Sequence, residues 1–402
     1  MNLKHKMTKE FRQVEGGLFS KVQKADVGDG YIKMAEQGVA LLGWADPFFP
    51  DPVLPKHVGD ALLHAFRHGT PSHYTMPIGS SQLKQRIAHK ITKQSGVELD
   101  PSRNILVTPG SDSGLFYAML PFIEPGDEVM IPDPSYPNNF QNTRILGGVA
   151  VSVPLHESEN YQINLTEFEK RYTTKTKMVV LTHPNNPTTT VFRRENLEKL
   201  CNWIIDKDLI LVVDQAFEDH IYDGIEFVIH AFLPKMWERT ITVCSVSKGL
   251  ALSGFRVGYI YCNDHFMDAY YGAAVSVLGA TNTAAQIAVI SALEDDSFVQ
   301  KYGEIFNRRR KFLCELVDSS SKVTMVKPES SFLAWINVSK LGKSSEIVDY
   351  LVKEAKVAVN NGYAYGPNAG EHVRVVYGCL ADDSELFRAL ERMISALDKF
   401  TT

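Results

Sequence analysis

Between residues 104 and 262 the chain repeats a pattern of short apolar run, polar turn and amphipathic segment. Runs rich in Val and Ile that barely alternate belong to strands covered on both faces, and strands joined by helical crossovers build a mainly parallel sheet. The candidate strands are 105–108, 128–131, 150–153, 178–182, 209–213, 240–245 and 257–262. Leu197, Leu200, Cys201, Ile204 and Ile205 recur at helical spacing, with Arg194, Glu195, Glu198 and Lys199 off the stripe, so one crossover is a helix. A charged helical stretch over 297–316 then leads to shorter strand candidates at 323–326, 332–336 and 373–377. A last apolar stripe, Leu386, Leu390, Met393, Ile394 and Leu397, follows the capping candidates Asp382, Asp383 and Ser384. Pro47, Pro50, Pro52 and Pro55 break the chain early. The expected organisation is an α/β chain with a large domain over 56–295 and a smaller α+β domain over 296–402. Residues 1–55 join the smaller domain or reach across to a partner chain.

Composition narrows the class. Hydrophobic residues at 44% and charged residues at 22% are ordinary for a folded soluble protein, which argues against disorder. A formal charge of -5 leaves no basic excess for nucleic acid, and Arg308-Arg309-Arg310-Lys311 reads as the solvated face of a helix. Residues 1–14 lack the apolar core of a secretory signal, and no later stretch offers the roughly twenty apolar residues of a membrane span. The five cysteines show no CxxC or metal-like spacing. The expectation is a reduced, cytoplasmic protein with no nucleic-acid or membrane partner and no metal.

Candidate chemistry gathers at strand ends, where open α/β sheets bind ligands. Ser245-Val246-Ser247-Lys248 closes one strand, and Arg256 follows within a small-residue segment. Burial and neighbouring positive charge would keep such a lysine amine neutral enough to form an imine, and Arg256 can bind a phosphate as it supplies that charge. Asn186, in the turn His183-Pro184-Asn185-Asn186-Pro187, follows a second strand, and Asp214 closes a third. A carboxylate facing a pyridine nitrogen keeps it protonated. Thr108-Pro109-Gly110-Ser111-Asp112-Ser113-Gly114 joins a strand to a helix, as a phosphate cradle does; Asp112, itself anionic, is assigned only a backbone contact. Tyr136 can stack on a ring, and Arg374 presents a fork suited to a carboxylate. Read singly, each of these is an ordinary turn, cap or surface residue; their order along the chain distinguishes them.

Taken together, these segments resemble the class I/II aminotransferases among the fold-type I pyridoxal-phosphate enzymes, from Leu42-Gly43-Trp44-Ala45-Asp46-Pro47 to the last helix. The resemblance implies pyridoxal 5'-phosphate held as an internal aldimine on Lys248. Ser111, Asp112, Ser245 and Arg256 would hold the phosphate, and Tyr74 would reach the phosphate of the neighbouring subunit of a homodimer. Tyr136 would stack on the ring, Asn186 would bond its O3′ and Asp214 would pair with its nitrogen. Arg374 would grip the substrate α-carboxylate, with Ala45 and Trp44 lining the substrate site.

The implied reaction passes an amino group between an amino acid and a 2-oxo acid, with the freed Lys248 amine as general base. The same carbanion could instead expel a β or γ substituent, so a lyase or cyclase is the alternative. A regulatory module that keeps the fold without the chemistry is disfavoured by intact Lys248, Asp214 and Arg374. Three departures from the family pattern stand out: Phe217 where Tyr is usual, Thr189 in place of a glycine, and Asn360-Asn361-Gly362 in place of a Pro-Gly segment. His73, His183 and His220 lie near motif positions and read as structural.

Overall fold

The structure is a computed structural model that describes residues 4–10 and 29–401. Part of the 1–14 segment and much of the 1–55 segment therefore lie outside the described residues. All seven strands expected in the first half form, and together they make one sheet: β1 (Ile105–Thr108), β2 (Glu128–Asp133), β3 (Val149–Pro154), β4 (Thr176–Thr182), β5 (Ile210–Asp214), β6 (Thr240–Ser245) and β7 (Gly258–Tyr261). Their order is β1-β7-β6-β5-β4-β2-β3, with β7 antiparallel to both neighbours and the remaining pairs parallel. Successive side chains of a strand point to opposite faces, and both faces here are covered. Met178, Val180 and Val212 enter one apolar cluster, whereas Val179, Leu181, Leu211 and Val213 enter another. That two-sided burial is why these strands read as continuous apolar runs.

Among the helices around the sheet and the site are α1 (Lys56–Arg67), α2 (Ser81–Ser95), α3 (Ser111–Met119), α4 (Arg194–Asp206), α5 (Thr283–Glu294), α6 (Ser297–Asp318) and α7 (Asp383–Lys399). The expected stripe of α4 is inside, with Leu197, Leu200 and Ile204 fully buried. Each such side chain contributes about 1.5–3 kcal/mol by leaving water. Asp382 caps α7 by accepting from the Ser384 N–H at 2.7 Å.

A second, antiparallel sheet holds β8 (Thr324–Met325), β9 (Leu333–Asn337), β10 (Asn360–Asn361) and β11 (His372–Val376) in the order β10-β11-β9-β8. The early segment joins it from outside: Ala40 and Leu41 pair in parallel with Val357 and Ala358, and the Phe48 N–H donates to the Gly378 carbonyl at 2.7 Å. One apolar cluster runs from Leu42 through Ile87 and Phe306 to Leu397, so α2, α6, α7 and the second sheet share a core.

The expectation that the basic run 308–311 faces solvent fails at its two middle residues. Arg309 and Arg310 are fully buried. Arg309 donates to the Asp383 carboxylate at 2.7 Å and to the carbonyls of Cys379 and Leu380, both at 2.9 Å. Arg310 forks onto Asp223 and reaches the Pro328 carbonyl at 2.7 Å. Four consecutive residues sweep most of the circumference of a helix turning about 100° per residue, so they cannot share one face.

Candidate active site

The parallel strands bring their carboxyl ends to one edge of the sheet. There β1 hands the chain to Gly110 and α3, β4 to the turn holding Asn186, β5 ends on Asp214, and β6 leads to Lys248. The early segment adds Trp44, Ala45 and Asp46, and β11 adds Arg374 from the second sheet. Together they line a cavity of about 400 Å³. Of the residues expected in the site, Trp44, Ala45, Ser111, Asp112, Tyr136, Asn186, Asp214, Lys248, Arg256 and Arg374 lie in its wall.

Two do not. Ser245 is buried beneath the wall, and its hydroxyl accepts from the Ser247 N–H at 3.1 Å, tying the turn that carries Lys248. Tyr74 is 98% exposed and stands apart from the cavity. The wall also contains residues that sequence reasoning missed: Asp46, Ser247, Ser253 and Gly254. Ser247 and Ser253 flank Lys248 along the chain, and Asp46 follows Ala45, so proximity to motif residues was the available signal. His183 and His220 lie outside the wall. His183 stacks between Phe192 and Phe227, and burial holds it well below the usual histidine range. Burial pushes His220 down to about 4.

Burial sets the electrostatics. It lowers the Lys248 amine to about 8; Asp46 and Asp112 oppose the shift, while Arg374 and Arg256 assist it. The amine donates to the Ala45 carbonyl. Burial raises Asp214 to about 7 against the opposing Ala216 N–H, which donates to its carboxylate at 3.1 Å. Tyr136 donates to Asp112 at 2.8 Å, and the same carboxylate accepts from Asn138 at 2.9 Å. The Asp112 side chain thus has protein partners of its own.

The geometry suits a phosphorylated ring compound. Gly110 opens α3 with a φ of 86° and provides no side-chain cap, leaving the first N–H groups of the helix to an anion. A Cβ on Gly258 would come within 2.6 Å of the Ser111 nitrogen, and one on Gly110 within 2.5 Å of the Arg256 guanidinium. At Gly258 the neighbour is backbone, so only glycine leaves room for that approach. Opposite, Arg374 is buried and donates to Asn186 Oδ1 at 3.2 Å, to the Gly43 carbonyl at 2.9 Å and to Asn360 Oδ1. These acceptors are uncharged, and its Nε is buried without a partner, so an anionic ligand would complete the site. Thr189 adopts a left-handed φ of 64°, which explains why a glycine is usual at that position.

A profile of the family described as "Aminotransferase class I and II" matches residues 42–393. The chain belongs to that family. It is 31% identical over 370 residues to an aspartate aminotransferase of Pyrococcus abyssi, covering 91% of this chain and 93% of the relative. It is 29% identical to aromatic-amino-acid aminotransferase 2 of Thermococcus litoralis, covering 90% and 92%. Among solved structures, the aromatic aminotransferase of Pyrococcus horikoshii superposes with a TM-score of 0.85 at 30% identity, covering 92% of this chain and 98% of that one. This chain is therefore an aminotransferase with the fold-type I architecture, and the family depends on pyridoxal phosphate in general.

Proposed function

We propose that this aminotransferase holds pyridoxal 5'-phosphate in the cavity and uses it to move an amino group between an α-amino acid and a 2-oxo acid. The observation that carries the reading is the convergence of a half-buried lysine, a buried carboxylate and a buried arginine on one cavity wall. When bound, the cofactor supplies an electron sink for charge developing at the substrate α-carbon. Asp214 would pair with the ring nitrogen and keep it protonated, Tyr136 would stack on the ring and Asn186 would bond its O3′. Ser111, Asp112 through its backbone and Arg256 would bind the phosphate, while Ser245, beneath the wall, would steady the turn that carries Lys248. Lys248 Nζ, lowered to about 8 by burial, would anchor the cofactor and, once freed, carry the proton from the substrate α-carbon. Arg374 takes the α-carboxylate, with Trp44 and Ala45 beside it.

The aspartate and aromatic names of the relatives nominate α-amino acids as donors, and Arg374 suits the carboxylate that these share. Because the relatives named above are aminotransferases, transfer is favoured over elimination or cyclisation. The domain division is a large domain over 56–295 and a small one over 296–402, with the 1–55 segment joining the small domain or a dimer interface; the pairing of Ala40 and Leu41 with Val357 and Ala358 supports the first. A homodimer is supported by the apolar side chains left exposed on and after α1, Leu63, Phe66, Tyr74 and Met76. Among the described residues no helix is long and apolar enough to cross a membrane, and all five cysteines are free, which supports a reducing cytoplasm.

The test is a visible spectrum of the purified protein against a panel of amino acids with 2-oxoglutarate as acceptor, followed by borohydride reduction and peptide mapping. A yellow protein labelled on Lys248, bleached by a donor and restored by the oxo acid, is expected. A label on another lysine, or bleaching with no oxo acid product, would overturn the reading.

A further inference from the structure

Asn360 and Tyr365 lie outside the cavity wall and are both fully buried, yet both touch Arg374. Asn360 on β10 sits directly opposite Arg374 on β11, and Trp335 on β9 is the register partner on the other side. Residues opposite one another in an antiparallel pair point to the same face. The three side chains therefore form one row across the sheet. Asn360 Oδ1 accepts from Arg374 Nη2 and from the Tyr365 hydroxyl, the latter at 3.2 Å, so one amide oxygen serves two donors. The Arg374 guanidinium lies 5.1 Å from the centre of the Tyr365 ring, within range of a cation–π contact.

Tyr365 is itself fixed from the large sheet. Its carbonyl accepts from the Ser135 N–H at 2.8 Å, just beyond the end of β2. The next residue, Gly366, has a φ of 139°, and a Cβ there would meet Asp133 Oδ1 at 1.9 Å. Asp133 Oδ2 in turn accepts from Asn368 Nδ2 at 2.8 Å and from the Ser152 hydroxyl at 2.6 Å.

We propose that Asn360 and Tyr365 are positioning residues that preset Arg374 for the substrate carboxylate. The proposal rests on Arg374 being the carboxylate grip. An amide and an aromatic face hold the guanidinium in place without neutralising it, and its full charge stays available to the ligand. A carboxylate at 360 would hold it equally well and compete with the substrate.

The experiment compares Asn360→Asp and Tyr365→Phe with wild-type holoenzyme, using the donor that wild type consumes fastest in the panel above. In Asn360→Asp, KM for that amino acid should rise at least tenfold, with a smaller change in kcat. Calorimetric affinity for its unreactive 2-methyl analogue should fall in parallel. Tyr365→Phe should show a rise of severalfold. The single-turnover rate with the decarboxylated amine, which offers Arg374 nothing to bind, should stay within twofold of wild type in both variants. Melting temperature and cofactor absorbance report whether each variant is folded and loaded. Unchanged KM and affinity in both variants would overturn the proposal, as would an equal loss for amino acid and amine. A wild type that consumes no amino acid would instead overturn the function itself.

Discussion

Asp214→Asn should stabilise the protein once the cofactor is removed, and increasingly so as pH rises. An isolated aspartate titrates at 3.8, and burial raises Asp214 to about 7. Between those values the folded state holds a proton that the unfolded state has released. Stability therefore falls with rising pH, and the loss is complete only above the folded pKa. A shift of about three units corresponds to about 4 kcal/mol, of which about 3 kcal/mol develops between pH 5 and pH 8. Asparagine cannot ionise and keeps a similar shape, so it escapes this term. The assay is urea unfolding of wild type and variant, both treated with hydroxylamine and desalted, at pH 5 and pH 8. Other titrating groups are common to both chains and cancel in the difference. The variant's advantage should grow by about 3 kcal/mol over that range, while its retention of cofactor weakens. An advantage that is the same at both pH values would refute the reasoning, since Asp214 would then not be a carboxyl held up by burial.

Three further outcomes are expected. Phe217 lies in the cavity wall in edge-to-face contact with Phe332, so Phe217→Tyr should bring a hydroxyl to the cofactor's O3′ and lower the pH midpoint of its visible absorbance by about one to two units; an unchanged or higher midpoint would place Phe217 elsewhere. Mixing Tyr74→Phe with Lys248→Ala chains should recover activity in hybrids, because the exposed Tyr74 would serve the partner's site; a fully active monomer in solution would exclude this. Arg309→Met should cost about 3 kcal/mol or more in denaturant unfolding by orphaning buried carbonyls, whereas Arg308→Met, at an exposed ion pair with Asp383, should cost under about 1 kcal/mol. Equal costs for the two would contradict the burial of Arg309.

Local pattern was enough to read the seven strands of the large sheet, the stripe of α4 and the cap of α7, because a residue's burial within one element follows the period of that element. Strand-end chemistry was legible for the same reason: where a buried parallel strand stops, its next polar residue must lie at the sheet edge, as Asp214 and Lys248 do. Tertiary structure alone decided how elements distant in sequence meet. Arg309 and Arg310 are charged by composition and buried by the packing of α6 against the start of α7 at Asp383 and the turn at Asp223. Arg374 meets Asn186 across 188 positions of chain and Gly43 across 331, and no periodicity encodes such a distance. The sequence by itself thus determined which residues could do the chemistry. The fold determined that Asp46, Ser247 and Ser253 join them, that Ser245 ties the lysine turn from beneath the wall, and that neutral groups hold Arg374 in place. The last of these depends on contacts between the two sheets, which form only when both are folded against each other.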